Sequence, residues 1–171
     1  MSDRTSKPPL GEQEYTSLRA EIIQRAQFQQ QLVNLSVIIA GTLLTVFFQF
    51  SGPSFLLLVY PLLAMFMAVE WSFNNMRIMQ IGRYIHEEIE SKWGGKGWES
   101  YLSSPKAKTR MPWLSGALFA YGTFIGLPIV VTALALVHRF TWSWQEITLL
   151  SIDVIVALFV IPFVVRHSEH R

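Results

Sequence analysis

The sequence predicts an all-α fold, an integral membrane four-helix bundle whose first two helices extend into a cytoplasmic antiparallel stalk. Three observations carry this expectation. Hydrophobic residues make up 51% of the 171 residues and charged residues only 15%, against about 25% charged in an average soluble domain. The charges are missing in blocks, which leaves four stretches of about the length that a bilayer requires. The Lys and Arg residues that remain fall almost wholly on one side of those stretches.

Residues 1–11 are polar, contain Pro8, Pro9 and Gly11, and read as a disordered lead-in. Arg4, Lys7, Glu12, Glu14, Arg19, Glu21 and Arg25 precede the first apolar run. No cleavable signal peptide is therefore expected, and the first span is its own insertion signal. From Glu12 onward Tyr15, Leu18, Ile22 and Ala26 recur at spacings of three and four, one stripe of a helix. Gln24, Gln27, Gln29, Gln30 and Gln31 follow. Residues 32–50 carry no charge and cover roughly 28 Å as a helix, about one hydrocarbon core.

Ser51, Gly52, Pro53 and Ser54 signal a tight turn. The second span is expected at residues 55–73, with Glu70 near its inner end. The helical pattern then continues through Ile78, Ile81, Ile85 and Ile89 to Trp93. Gly94, Gly95 and Gly97 end it by permitting positive φ. Residues 12–31 and 74–93 should therefore pair as the stalk, each covering the other's apolar stripe.

Residues 94–112 read as a linker with Lys106, Lys108 and Arg110. Within it Trp98 and Tyr101 suit the headgroup level, as does Trp113 just beyond it. The third span is expected at residues 113–137 and the fourth at residues 147–165, with residues 166–171 as a cytoplasmic tail. No internal repeat at a fixed period is visible. Lys and Arg number four before the first span, none in the first turn, seven between spans two and three, one in the last turn and two in the tail. Thirteen against one puts the N- and C-termini in the cytoplasm.

Several function classes drop out. The net charge is +2 and the basic residues flank apolar spans, which fits orientation in a membrane rather than nucleic-acid binding. There is no cysteine, so disulfides, thiolate catalysis and Cys metal sites are excluded. His86 and Glu90 share a helix face but lack the second histidine of H-E-x-x-H. Residues 86–90 are expected on a solvated face of the stalk, as are His167 and His170 in the tail. Gly94, Gly95, Lys96 and Gly97 lack the spacing of a phosphate loop. No metal or cofactor is expected.

Two carboxylates, Glu70 and Asp153, fall inside predicted spans, where a charge costs about 2.5–3.5 kcal/mol even on the lenient insertion scale. Glu70 is expected near the cytoplasmic interface, snorkelling or bonded to Asn34. Asp153 sits in the outer half of span four, either paired with Arg139 or His138 or lining a water-filled cavity. Roughly 14 Å of depth separates the two, too far for a carboxylate dyad. Gly122 and Gly126 form a G-x-x-x-G pair, a close-packing face within the chain or between copies. The glutamines and Asn74 and Asn75 read first as solvated helix exits and second as an amide network between chains.

One resemblance adds to this. Glu14, Tyr15, Leu18, Arg19, Glu21 and Ile22, then Gln29, Gln30, Gln31 and Leu32, then Tyr60, Pro61 and Leu63, then Arg77, Ile78, Gln80, Ile81, Gly82, Tyr84 and Ile85, and finally Gly97, Trp98 and Glu99 form a pattern. It resembles a family of small uncharacterised bacterial four-span inner-membrane proteins, mainly over residues 14–102. The resemblance implies a bacterial inner-membrane location and no catalytic residues. The shape is also similar to that of small multi-span effectors of bacterial defence systems.

The function expected is non-enzymatic: an oligomerising membrane module acting as sensor, scaffold or pore-forming effector. Its partners are the lipid bilayer, further copies of itself, and a cytoplasmic protein met through the stalk. The alternative is a small ion- or proton-coupled transporter using Asp153 and Glu70. An intramembrane enzyme would need a nucleophile–base or metal constellation at one depth, and none is visible.

Overall fold

The computed structural model describes residues 10–50, 53–93, 97–99, 119–120, 122–138 and 143–168. Helix α1 is Leu10–Gln49 and α2 is Phe55–Tyr84. The second continues through a π-helical turn, Ile85–Glu90, and a 3₁₀ turn, Ser91–Trp93. Another π-helical turn, Gly122–Gly126, leads into α3, Leu127–His138, and α4 is Trp144–Ser168. The described residues are all-helical, with no strand. Two stretches, Gly11–Gln49 and Phe55–Glu90, are long and apolar enough to cross a membrane. At 1.5 Å per residue the first runs about 60 Å, roughly twice a hydrocarbon core.

Element ends differ from expectation for identifiable reasons. Helix α1 begins at Leu10, two residues early, with Glu12 in its first turn offsetting the unpaired amides there. The rest of the expected lead-in, residues 1–9, lies outside the described residues. Helix α4 takes in Arg166, His167 and Ser168, which were expected in the tail. Basic residues suit a helix C-terminus. The third span is not one uniform helix. Pro128 has no N–H for the Phe124 carbonyl, and its ring crowds that carbonyl. The π-helical turn Gly122–Gly126 directly precedes it and widens the backbone where the crowding falls. Residues 113–118 and 121, and most of the linker 94–112, lie outside the described residues.

The chain divides into two compact units: Met1–Phe28 with Asn75–Pro112, and Gln29–Asn74 with Trp113–Arg171. The larger unit has two apolar clusters. One joins Leu32 and Val33 of α1 to Met67, Ala68 and Trp71 of α2 and to Phe124. The other joins Ala40 and Phe47 of α1, Leu57, Leu58, Tyr60 and Ala64 of α2, and Val131 and Ala135 of α3, with Leu149 and Leu150 of α4 packed against it.

Polar groups stitch these clusters at buried points. Ser36 and Tyr60 share a hydrogen bond of 2.9 Å between α1 and α2. Gln29 Nε2 donates to the Trp71 carbonyl at 3.3 Å, so one of the glutamines bonds across helices. Asn74 and Asn75 are buried rather than solvated. At the start of α4, Ser143 and Glu146 form a capping box. The Ser143 N–H donates to Glu146 Oε2 at 3.1 Å, and the Glu146 N–H donates to Ser143 Oγ at 3.4 Å. The other oxygen of Glu146 accepts the hydroxyl of Ser54, which directly precedes α2. One buried carboxylate therefore caps α4 and ties it to the first turn of α2.

Removing that carboxylate should loosen both. Glu146→Ala is expected to cost about 1–3 kcal/mol, since it deletes half the capping box and the bond that the buried Ser54 hydroxyl donates. Thermal unfolding of the detergent-solubilised protein measures it, with the exposed neighbour Gln145→Ala as the control expected near zero.

Candidate functional site

Along α4, Leu150, Asp153, Ala157 and Val160 recur at spacings of three, four and three, which puts them on one helix face. That face borders a cavity of about 360 Å³, within the size range of small-molecule sites. Helix α2 supplies Pro61, Met65 and Ala68 to its lining, and the third helical segment supplies Phe124, Pro128 and Thr132. The rim includes Ile129, Leu136 and Val154, all of them exposed, so the cavity is a groove that opens on an apolar surface.

Asp153 is the one charged residue of this lining. It is 5% exposed, and neither carboxylate oxygen has a hydrogen-bond partner among the described residues. Arg139 and the side chain of His138, the partners expected for it, lie outside the described residues. A carboxylate left bare among apolar groups needs a cation, a proton or a hydrogen-bond donor from outside the protein.

The other sequence candidates fall elsewhere. Glu70 is exposed and does not line the groove. The expected Glu70–Asn34 bond is absent. Asn34 is itself exposed and accepts a hydrogen bond from Gln30 Nε2 at 3.2 Å. A Cβ on Gly122 or Gly126 would meet nothing within 4 Å among the described residues. Among the described residues no three His, Asp or Glu side chains converge as metal ligands.

The smaller unit holds a second buried carboxylate. Glu90 was expected on a solvated face of the helix, but it is fully buried. The π-helical turn accounts for this. Its hydrogen bonds run five residues back, as from the Ser91 N–H to the His86 carbonyl, so residue 90 follows residue 85 onto the inner face. The Glu99 N–H donates to Glu90 Oε1 at 3.1 Å. Arg19 forms an ion pair with Glu90 at 3.8 Å and donates to Glu99 at 2.8 Å. The Arg19 guanidinium lies 5.4 Å from the centre of the Tyr15 ring, within cation–π range. Gly97 lies directly against the Glu90 carboxylate, where any Cβ would collide with it. In the same unit the Tyr84 hydroxyl donates to Glu14 at 2.8 Å. That bond, with the charge of Glu14, pushes the Tyr84 hydroxyl above its ordinary value. The contact contributes at neutral pH and is lost only as pH rises through that raised value.

No protein family, curated protein or solved structure matches this chain, which leaves the resemblance over residues 14–102 as an expectation.

The two kinds of ion pair in the smaller unit should separate on mutation. Arg19→Ala takes away a guanidinium paired with the buried Glu90 and is expected to cost about 3 kcal/mol. The Arg25–Glu21 pair, 2.7 Å across but partly exposed on both sides, is worth less than about 1 kcal/mol to Arg25→Ala. Denaturant titration of the two variants under one set of conditions gives the comparison, and equal losses would refute it.

Proposed function

We propose that the chain is a multi-pass protein of the inner membrane with both termini cytoplasmic, and that it works without catalysis. It is an oligomerising sensor module. The groove at Asp153 receives the signal, and the helical stalk of residues 12–31 and 74–93 meets a cytoplasmic protein partner. Gly122 and Gly126 are the face offered to a second copy.

One observation carries the reading: the groove of Asp153 opens on a surface that water would penalise. Leu136 and Val154 on its rim, and Leu158 and Phe159 farther along α4, are all exposed. A contiguous apolar surface of this kind marks a membrane or partner contact, and in hydrocarbon its exposure costs nothing. Ionisable residues within spans face the bundle interior and mark functional pathways, which is how Asp153 stands. The same residue also supports a second reading, a proton- or ion-coupled carrier. Glu70, the other station of that carrier, stands apart from the groove.

Two experiments test this. The absence of cysteine allows single cysteines to report sidedness. In intact cells a membrane-impermeant maleimide should label Gln49→Cys and Gln145→Cys, and should reach Glu12→Cys and Ser91→Cys only after permeabilisation. Equal labelling of all four sinks the topology. Asp153→Asn should leave membrane abundance unchanged and hold or raise the unfolding temperature, because it removes a buried charge that nothing balances. A fall in both would mark Asp153 as structural and end its role as receiver.

A further inference from the structure

We infer that the Asp153 groove binds a lipophilic monocation: one protonated or quaternary nitrogen on a hydrocarbon body, entering from the hydrocarbon phase. The inference rests on the membrane reading above and names the ligand class for the same site. It follows from what the groove presents and what it lacks. Met65, Ala68, Phe124 and Val160 give apolar walls, which suit a hydrocarbon body and reject a hydrated ion. Among the described residues no Lys or Arg lines the cavity, so an anion meets an uncompensated negative charge. A neutral acyl chain would fill the space and still leave both oxygens of Asp153 unmatched. The carboxylate is within one-tenth of complete burial, so its demand for a counter-charge is not met by bulk water. One carboxylate balances one positive charge. A dication would carry its second charge into the apolar wall. The rim at Ile129, Leu136 and Val154 is exposed, so entry from the lipid side needs no passage through water.

The test uses the full chain reconstituted in nanodiscs of zwitterionic phospholipid. Radiolabelled dodecyltrimethylammonium is the probe, and dodecanol and dodecyl sulfate are the neutral and anionic matches. Saturable binding at one probe per chain is expected, with weak competition by either match. Asp153→Asn should weaken binding at least about tenfold, as loss of one partner of a buried charge pair does, while Asp153→Glu, which keeps the charge, retains most of it. A measured unfolding temperature for each variant guards against misfolding as the cause. Equal competition by dodecanol, binding unchanged in Asp153→Asn, or no saturable binding each overturns the proposal. Reaction of Asp153 with dicyclohexylcarbodiimide in the membrane that the cation does not block gives a proton as the occupant, and overturns it too. The maleimide pattern separates the two failures. If sidedness holds while cation binding fails, the ligand class alone is wrong; if sidedness fails, the membrane reading falls first.

Discussion

The larger unit depends on how one carboxylate, that of Glu146, is bonded. One oxygen takes the Ser143 N–H and the other takes the Ser54 hydroxyl. The first bond starts α4 and the second ties that start to the start of α2. The two helices therefore leave one fixed level, and their residues stay in step from it. Counting seven residues on, from 54 to 61 and from 146 to 153, reaches Pro61 and Asp153, each about 10 Å along at 1.5 Å per residue. Both line the groove. The position of the charged group relative to its apolar wall is thus set by a hydrogen bond two turns away.

Three carboxylates are buried among the described residues, and their treatment differs. Glu146 is satisfied by two donors at a helix start, where the amides of the first turn also favour a negative charge. Glu90 is satisfied by a backbone N–H and an arginine, and the absence of a side chain at Gly97 leaves room for it. Asp153 has neither kind of partner. Asp153 is also the one of the three that borders a cavity of ligand size. Two of the buried charges are met by groups of the chain itself, and the third faces an open groove.

Much of the fold was legible because helical periodicity and the distribution of charge are both properties of local sequence. The run from Phe55 to Trp93 reads as uninterrupted helix from the spacing of Ile78, Ile81, Ile85 and Ile89, and the chain is helical throughout it. The burial of Glu90 was not legible, since it requires a π turn that displaces the register by one residue, and no local propensity signals that. The capping box at Ser143 and Glu146 was there to be read from the S-x-x-E spacing. What the sequence hides is that the same glutamate reaches Ser54, ninety-two positions away. Asp153 was visible as a lone carboxylate in a long apolar run. Its inward direction was also available, since it falls in the stripe of Leu150, Ala157 and Val160, but the missing partner was not. An unsatisfied group becomes apparent only when every neighbour has been placed. The Glu70–Asn34 pairing failed for a related reason: similar depth does not give a shared face, and both residues point outward.

Length of side chain explains why Asp153 rather than Glu70 holds the groove. A glutamate near the end of a span can extend its carboxylate to the interface and stay hydrated. Glu70 is exposed accordingly. An aspartate has one methylene and cannot carry its charge far from its own backbone. Placed about 10 Å beyond the Glu146 level, on the inward face, it has no route to water along the helix. Its charge must be met where it stands. Among the described residues Thr132 is the only other polar side chain in the lining, and it is not bonded to Asp153. The short side chain, the inward stripe and the distance from the clamp together leave the carboxylate facing the groove with no partner among the described residues.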